Sequence, residues 1–144
     1  MNLTRESEYA LRGLVRLATY PPGSTVSHSE IAAAENLPAA FLAKIFQKLA
    51  RHGVLQVERG RGSGYALARA PETTPVSEVF EAIEGPQALR RCLLWGSHCS
   101  EMTPCPLHKR FEHLHAELDE MLCTITLADF ANESSISVHP GLRE

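Results

Sequence analysis

The sequence lacks any long run of hydrophobic residues. Charged side chains at Arg5, Glu6, Glu8 and Arg12 interrupt its N-terminal segment, so that segment has no apolar core of the signal-peptide kind. No stretch approaches the roughly 18 consecutive apolar residues that cross a bilayer. We therefore expect a cytoplasmic protein without a membrane partner.

The signatures of several enzyme classes are also missing. The sequence has no Cys-x-x-Cys pair, no glycine-rich nucleotide loop after a strand, and no coherent set of nucleophile and base. Its 144 residues, 44% of them apolar and 22% charged, suit one ordinary globular domain without a deep cleft. We therefore expect no enzyme, and a small redox enzyme or electron carrier is the least favoured alternative.

The formal net charge of −3 conceals a division of charge along the chain. Residues 1–70 hold nine Lys or Arg against five Asp or Glu, whereas residues 71–144 hold five against twelve. Residues 38–69 carry most of the cations of the first half, with Glu58 as their sole acid. A basic patch on an otherwise acidic protein indicates a local site for a polyanion.

Three helices are predicted in the first third of the chain. Residues 5–20 place apolar side chains at helical spacing. Ser27 and Glu30 have the spacing of a capping box, which would start a short second helix. Pro38 suits the first position of a third helix that continues to about Arg51. Two short helices joined by a tight turn predict a helix-turn-helix, although any small helical hairpin shows the same pattern.

The third predicted helix has two different faces. The apolar face, expected to be buried, consists of Leu42, Ile45, Phe46 and Leu49. The opposite face, expected to be free to contact DNA, consists of Ala40, Ala43, Lys44, Gln47, Lys48 and Arg51. We expect Lys44 and Gln47 to contact bases and the alanines to contact thymine methyl groups. Lys48 and Arg51 are expected to contact phosphates.

A β-hairpin with a cationic tip is predicted next. Residues 54–59 and 65–69 are strand-like, and a glycine-rich run separates them. The glycines remove side-chain bulk, so Arg59 and Arg61 can approach a narrow minor groove. The sequence thus predicts a mainly α fold with a small β-hairpin, a winged helix-turn-helix over residues 1–86. A hairpin that merely needs glycine to turn is the alternative.

A long helix with the rhythm of a coiled coil is predicted in the second half. Its apolar residues, alternately four and three positions apart, are Leu107, Phe111, Leu114, Leu118, Met121 and Ile125. We interpret residues 108–131 as a dimerisation helix and a short last helix that Thr126 and Asp129 cap. A core helix of one chain would show the same rhythm over so short a run. Cys123 is expected to be a small core residue, and residues 132–144 a frayed tail.

Three cysteines lie close together in the segment of residues 87–107. Cys92, Cys99 and Cys105 fall within fourteen residues, and His108 follows. A reducing cytosol disfavours a disulfide, and the spacing is looser than in structural zinc sites. Thiolates on a long loop suit an iron-sulfur cluster, in which histidine can replace cysteine as a ligand. Zinc or a cluster-free thiol switch is the alternative.

Together these features resemble the Rrf-two family of bacterial regulators. The resemblance covers about residues 1–131 and rests on Tyr9-Ala10-Leu11-Arg12, on the hairpin Arg59–Tyr65, and on the three cysteines before a long helix. It implies a homodimer of winged helix-turn-helix subunits that binds a partly palindromic double-stranded DNA operator. It also implies a regulator, most often a repressor, whose iron-sulfur cluster senses nitric oxide, redox state or cluster supply.

The resemblance implies two sets of cluster ligands. Cys92, Cys99, Cys105 and His108 match the three cysteines and the histidine that hold a 2Fe-2S cluster in one branch of the family. Glu8 matches the position from which an acidic residue of the partner subunit ligates a 4Fe-4S cluster in another branch. The cluster type and the fourth ligand therefore stay open. Glu8 also has the spacing of an ordinary ion pair with a cation four residues further on.

Overall fold

The computed structural model of the protein describes residues 4–86, 90–92, 94 and 101–133. Within these residues the α-helices and β-strands in chain order are α1 (Arg5–Ala18), α2 (His28–Glu35), α3 (Ala39–Arg51), β1 (Leu55–Glu58), β2 (Gly64–Leu67), α4 (Val76–Glu84), α5 (His108–Thr124) and α6 (Leu127–Glu133), with a short 3-10 helix at Pro71–Thr73. The predicted mainly α fold with one small hairpin is confirmed. None of the helices described has both the length and the apolarity that crossing a bilayer requires.

The three N-terminal helices pack around one apolar core. The predicted buried face of α3 is confirmed, because all four of its apolar side chains are inaccessible to solvent. Leu14 of α1 and Ile31 of α2 are equally buried in the same cluster. At Gly13 the helices α1 and α3 come so close that an added Cβ would lie 2.8 Å from Phe46 Cε1. This packing fixes α3 firmly on the other two helices.

The start of α2 differs in one detail from the predicted capping box. The Ser27 hydroxyl accepts a hydrogen bond from the backbone N–H of Glu30 at 3.2 Å, as expected. The Glu30 carboxylate, however, accepts a hydrogen bond from the Tyr20 hydroxyl at 3.0 Å instead of closing the box. Similarly, Pro38 is the N-cap of α3 rather than its first helical residue.

The C-terminal helices pack on α1 and on each other. Val76, Phe80 and Leu122 form a small buried cluster between α4 and α5. The predicted cap of α6 is confirmed: Thr126 N–H donates to Asp129 Oδ2 at 2.8 Å, and Asp129 N–H donates to Thr126 Oγ1 at 3.3 Å. Residues 132 and 133, expected in a frayed tail, continue this helix. The rest of that predicted tail lies outside the described residues.

Candidate DNA-binding surface and cysteine pocket

A three-residue turn joins α2 to α3. Asn36 adopts the left-handed conformation, with φ 54° and ψ 50°, which asparagine tolerates better than most residues. Leu37 N–H donates to the Ala32 carbonyl at 2.8 Å, and Asn36 N–H donates to the Ala33 carbonyl at 3.4 Å. These two bonds close α2 in a Schellman motif, and the Leu37 side chain is buried beneath it. The turn therefore sets the direction in which α3 leaves and confirms the predicted helix-turn-helix.

The outer surface of α3 carries a continuous stripe. Ala40, Lys44, Gln47 and Arg51 are all exposed, and their spacing of three and four residues places them along one side of the helix. The stripe has a small side chain at its beginning and cations further on. This is the geometry that the sequence predicted for a helix that lies close to a nucleic acid.

Lys48 does not belong to this stripe. Its Nζ donates to Glu6 Oε1 at 2.8 Å and to the Ile83 carbonyl at 3.1 Å. The Lys48 side chain is only 33% exposed to solvent. The expectation that Lys48 lies on a free face is therefore wrong. The reason is that α1 and the C-terminal end of α4 bring negative charge to this side of α3, which attracts the ammonium group.

The hairpin forms as predicted, with slightly shorter strands. The two strands pair antiparallel from Leu55 and Leu67 to Glu58 and Gly64. At the tip, Gly60 and Gly62 have φ of 102° and 77°, values that favour glycine. Arg59 and Arg61 are exposed beside these glycines. The structure thus places both cations at the end of a wing.

The base of the wing is fixed to the helix-turn-helix. Tyr65 and Val26 exchange two backbone hydrogen bonds, of 2.8 and 2.9 Å. The Tyr65 ring also makes edge contacts with Phe46 of α3 and His28 of α2, with ring centroids 5.2 and 6.4 Å apart. The wing and α3 therefore share one rigid support, which sets their relative orientation.

Ion pairing distinguishes two groups among the cations of the described residues. Carboxylates contact Arg12, Arg16, Lys48, Arg69 and Arg90. By contrast, Lys44, Arg51, Arg59 and Arg61 enter no ion pair within the described part of the chain. An exposed cation without a carboxylate partner keeps its charge available for a phosphate. Four of the five cations predicted to contact DNA are therefore available for it.

Two of the three predicted cysteine ligands line one pocket. Cys92 and Cys105 are each 5% exposed, and with His108 they border a cavity of about 290 Å³. The cavity lies against the start of α5, where His108 N–H donates to the Cys105 carbonyl at 2.9 Å. The third predicted ligand, Cys99, lies outside the described residues.

The chemistry of these donors fits an iron-sulfur cluster, since cysteine thiolates are its usual protein ligands and an imidazole can replace one of them. Within the described residues, however, no three side chains of His, Cys, Asp or Glu converge closely enough to hold a metal ion. Cys92, Cys105 and His108 therefore share a cavity without forming a closed ligand set. These residues therefore match a cluster site in the kind of ligand atoms they offer and in their shared position at one cavity.

Two residues that the sequence did not single out also border this cavity. Arg90 donates to Asp119 Oδ2 of α5 through Nε at 2.9 Å and Nη2 at 2.6 Å, which ties the start of the cysteine segment to α5. Burial lowers the pKa of the His115 imidazole, and the nearby Arg90 charge lowers it further against the opposing effect of Asp119. A sequence signal existed for His115, because it follows His108 by two helical turns on the same face.

Glu8 forms the ion pair that its spacing indicates. Its Oε1 lies 3.5 Å from Arg12 Nη1. Arg12 also donates to the Glu35 backbone carbonyl, and Arg16 Nε donates to Glu35 Oε1 at 2.6 Å. Glu8 therefore belongs to a charged network between α1 and the end of α2. Its role as a ligand from a partner subunit stays a prediction.

Part of the predicted seam of α5 is open to solvent. Leu114 and Met121 are 54% and 47% exposed, whereas Leu118 and Ile125 are half-buried against the cluster that contains Leu122, the buried residue of α5. The exposed apolar part favours the dimerisation interpretation, while the other part packs within the chain, as in a core helix. Cys123, expected in the core, is exposed. Successive helical residues lie about 100° apart, so the inward position of Leu122 turns Cys123 outward.

A helix-turn-helix followed by a basic hairpin defines the class of winged helix-turn-helix DNA-binding proteins. In this chain a cysteine segment and the long helix α5 follow these elements. The chain belongs to the Rrf2 (Rrf-two) family, since residues 3–133 match the family model described as an iron-dependent transcriptional regulator.

Relatives and solved structures agree with this assignment. An HTH-type transcriptional regulator of Mycobacterium tuberculosis (strain H37Rv) is 33% identical over 131 residues, which cover 91% of this chain and 81% of the relative. One from Aquifex aeolicus is 30% identical over 137 residues, 94% of each chain. The chain is therefore similar to HTH-type transcriptional regulators.

Two solved structures share the fold at lower identity. CymR, the global cysteine regulator of B. subtilis, aligns with a TM-score of 0.76 and 21% identity over 92% of this chain and 97% of its own. T. potens IscR aligns with a TM-score of 0.73 and 21% identity over 100% of this chain and 97% of its own. Both confirm the winged helix architecture.

Proposed function

We propose that this regulator is a cytoplasmic homodimer that binds a partly palindromic operator and represses transcription under the control of an iron-sulfur cluster. The observation that carries the DNA-binding part is the set of four cations on α3 and the wing that no carboxylate of the described residues neutralises. Nitric oxide, redox state or cluster supply is the signal that the cluster would report.

In the proposed complex α3 lies in the major groove and the wing reaches the adjacent minor groove. Ala40 and Ala43 allow close approach and contact thymine methyl groups, while Lys44 and Gln47 contact base edges. Arg51 contacts a phosphate. Arg59 and Arg61, at the tip of the wing, enter the minor groove, where the negative potential is strongest.

The exposed part of the α5 seam supports the proposed homodimer. Two copies that pair along Leu114 and Met121 cover apolar surface that one chain leaves in water. A two-fold axis along this seam relates the two copies of α3. Half-sites separated by one or more turns of the duplex then match the two recognition helices.

The cysteine pocket is the proposed sensing site. Cys92, Cys99 and Cys105 would hold the cluster, either 2Fe-2S or 4Fe-4S, with His108 or a partner subunit's Glu8 as the fourth ligand. When bound, such a cluster supplies a centre that reacts with oxidants and nitric oxide. Cys105 and His108 lie at the start of α5, and Arg90 ties the same segment to α5. A cluster that orders or rearranges this segment can therefore change the arrangement of the two subunits, and with it the free energy of operator binding. Allosteric coupling of this kind is typically worth roughly 1–3 kcal/mol.

Anaerobic purification tests the sensing site. We expect coloured protein with equal iron and sulfide, and expect Cys92→Ala and Cys105→Ala to lose both. Cys123→Ala is the matched control, because this exposed cysteine lies outside the pocket and its loss should leave the iron content unchanged. Iron-free wild-type protein that binds its operator identically before and after reconstitution would reject the sensing proposal.

Operator binding tests the wing. Arg59→Ala and Arg61→Ala should each weaken binding without unfolding the protein, because both side chains are exposed. Each substitution should also reduce the slope of log affinity against log salt, by about 0.9 for each phosphate charge that the arginine neutralises from the minor groove. Unchanged affinity in both variants would reject this mode of binding. Arg69→Ala is the control, since that arginine pairs with Glu78.

A cluster-free or zinc-bearing regulator of the same fold, responsive to thiol state or a metabolite, is the second candidate. The observation that favours its cluster-free form is that no three donors converge on a metal position in the described part of the chain, to which Cys99 does not belong. A colourless protein that binds its operator in a thiol-dependent manner would support it. An iron-sulfur electron carrier, the remote alternative, would show no salt-dependent binding to duplex DNA.

A further inference from the structure

Lys48 connects the recognition helix to two other elements. Its Nζ donates to Glu6 Oε1 of α1 at 2.8 Å and to the backbone carbonyl of Ile83 in α4 at 3.1 Å. Both charged side chains are about two-thirds buried, with exposures of 33% and 29%. The ion pair is therefore better shielded from water than an ordinary surface pair.

The end of α4 needs such a cation. The last carbonyls of a helix have no partner within it, and they carry the negative end of its dipole. The last turn of α4 contains no basic residue of its own. Lys48 supplies the missing positive charge from α3, at the Ile83 carbonyl. Removing it leaves both this carbonyl and Glu6 without their cation.

The surrounding hydrogen bonds make the junction of α1 and α4 rigid. The residue after Ile83, Glu84, accepts hydrogen bonds from Thr4 N–H at 3.0 Å, from Thr4 Oγ1 at 2.5 Å and from Ser7 Oγ at 2.6 Å. Ser7 is fully buried. Lys48 thus attaches α3 to a support that other hydrogen bonds already hold in place.

We propose that Lys48 is a positioning residue that sets the orientation of the recognition helix and contacts no phosphate. This inference rests on the proposed binding of DNA by α3 and deepens it. Lys48 lies between Gln47 and Arg51 in the sequence, both on the exposed stripe. We call the contacts of Lys48 with Glu6 and with the Ile83 carbonyl the tether. A change in the tether therefore affects the DNA-binding side chains of α3, which lie within one helical turn of Lys48.

Operator binding as a function of salt tests the proposal in anaerobically purified protein. The duplex is first selected from a random pool with the wild-type protein, and the variants are Lys48→Met, Glu6→Gln and the double substitution. Each single change should weaken binding by roughly 2- to 30-fold, the range for residues coupled to a site without contacting the ligand. The salt slope should not change. The double variant should bind the operator no more weakly than the single variant with the lower affinity, because both substitutions break the same ion pair.

Arg51→Met is the matched control on the same helix. It should reduce the salt slope by about 0.9 for each phosphate that it leaves without a cation, or about twice that for a symmetric dimer. If Lys48 itself bound a phosphate, Lys48→Met would reduce the slope in the same way. Glu6→Gln would then tighten binding, since it releases a cation and removes a negative charge.

The sign of the Glu6→Gln effect decides the proposal even if Lys48→Met fails to fold, because the glutamine keeps the shape of the side chain. Weaker binding at constant slope supports the tether. Tighter binding, a reduced slope for Lys48→Met, or unchanged affinity in both variants overturns it. A wild-type protein that selects no duplex refutes DNA binding itself, and the inference with it.

Discussion

Replacing Gly64 with alanine should test how the wing is attached. A Cβ at this position would lie 2.5 Å from the Val26 carbonyl oxygen and 2.6 Å from the carbonyl carbon. Both are backbone atoms in the pairing between Val26 and Tyr65, so no side-chain rotation relieves the clash. Either the two chain segments separate or the packing around them deforms.

The cost of this substitution follows from the bonds and the packing at the site. Losing the two hydrogen bonds between Val26 and Tyr65 costs about 0.5–1.5 kcal/mol each. Accommodating a methylene in a packed site costs a further 1–3 kcal/mol, roughly. We therefore expect Gly64→Ala to lower the free energy of unfolding by about 2–6 kcal/mol. This is a large share of the roughly 5–15 kcal/mol that is typical of a domain.

Gly62→Ala is the control for this prediction. Gly62 has φ of 77° and open space around its added Cβ, so alanine there should cost only about 1–2 kcal/mol from the left-handed backbone. Urea unfolding followed by circular dichroism measures both variants. Operator binding should fall further for Gly64→Ala, because Tyr65 anchors the wing. A Gly64→Ala protein as stable as Gly62→Ala would refute the close approach.

Two further predictions concern the dimer and acid stability. Leu114→Glu should raise the dimer dissociation constant, measured by sedimentation, by roughly 100-fold, because each of the two subunits loses an apolar side chain worth about 1.5 kcal/mol from the interface. His113→Glu is the control and should leave the dissociation constant unchanged. Equal effects of the two substitutions would contradict dimerisation through Leu114 and Met121. Burial favours a higher pKa for Glu84, but hydrogen bonds from Ser7 and Thr4 prevail and hold its pKa below the ordinary 4.5. Its stabilisation is therefore present above that value and lost as the pH falls through the lowered pKa, so the stability difference between wild type and Glu84→Gln should shrink in acid denaturation series; a constant difference would contradict this.

Much of the fold could be predicted because it follows from short-range patterns. The spacing of Leu42, Ile45, Phe46 and Leu49 determines which side of α3 is buried, whatever packs against it. The glycine-rich tip determines a hairpin, since few other residues adopt its positive φ values. Local rules of this kind need no knowledge of distant residues.

Predictions failed where a distant residue was decisive. Glu30 bonds to Tyr20 rather than to its own helix start, and Lys48 bonds to residues 42 and 35 positions away. Cys123 is exposed because α4 packs on its neighbour Leu122. In each case the side chain fits its sequence pattern, but an interaction between elements determines where it lies.

The sequence by itself determined the family, the order of the helices and which residues carry charge and sulfur. Only the tertiary structure decided which of the cations remain available to DNA, and which two cysteines border the same cavity. The physical reason is that helical and turn propensities act over a few residues, whereas charge pairing and burial act through space. Neutralisation of a lysine by a glutamate 42 residues away cannot be predicted from either segment alone.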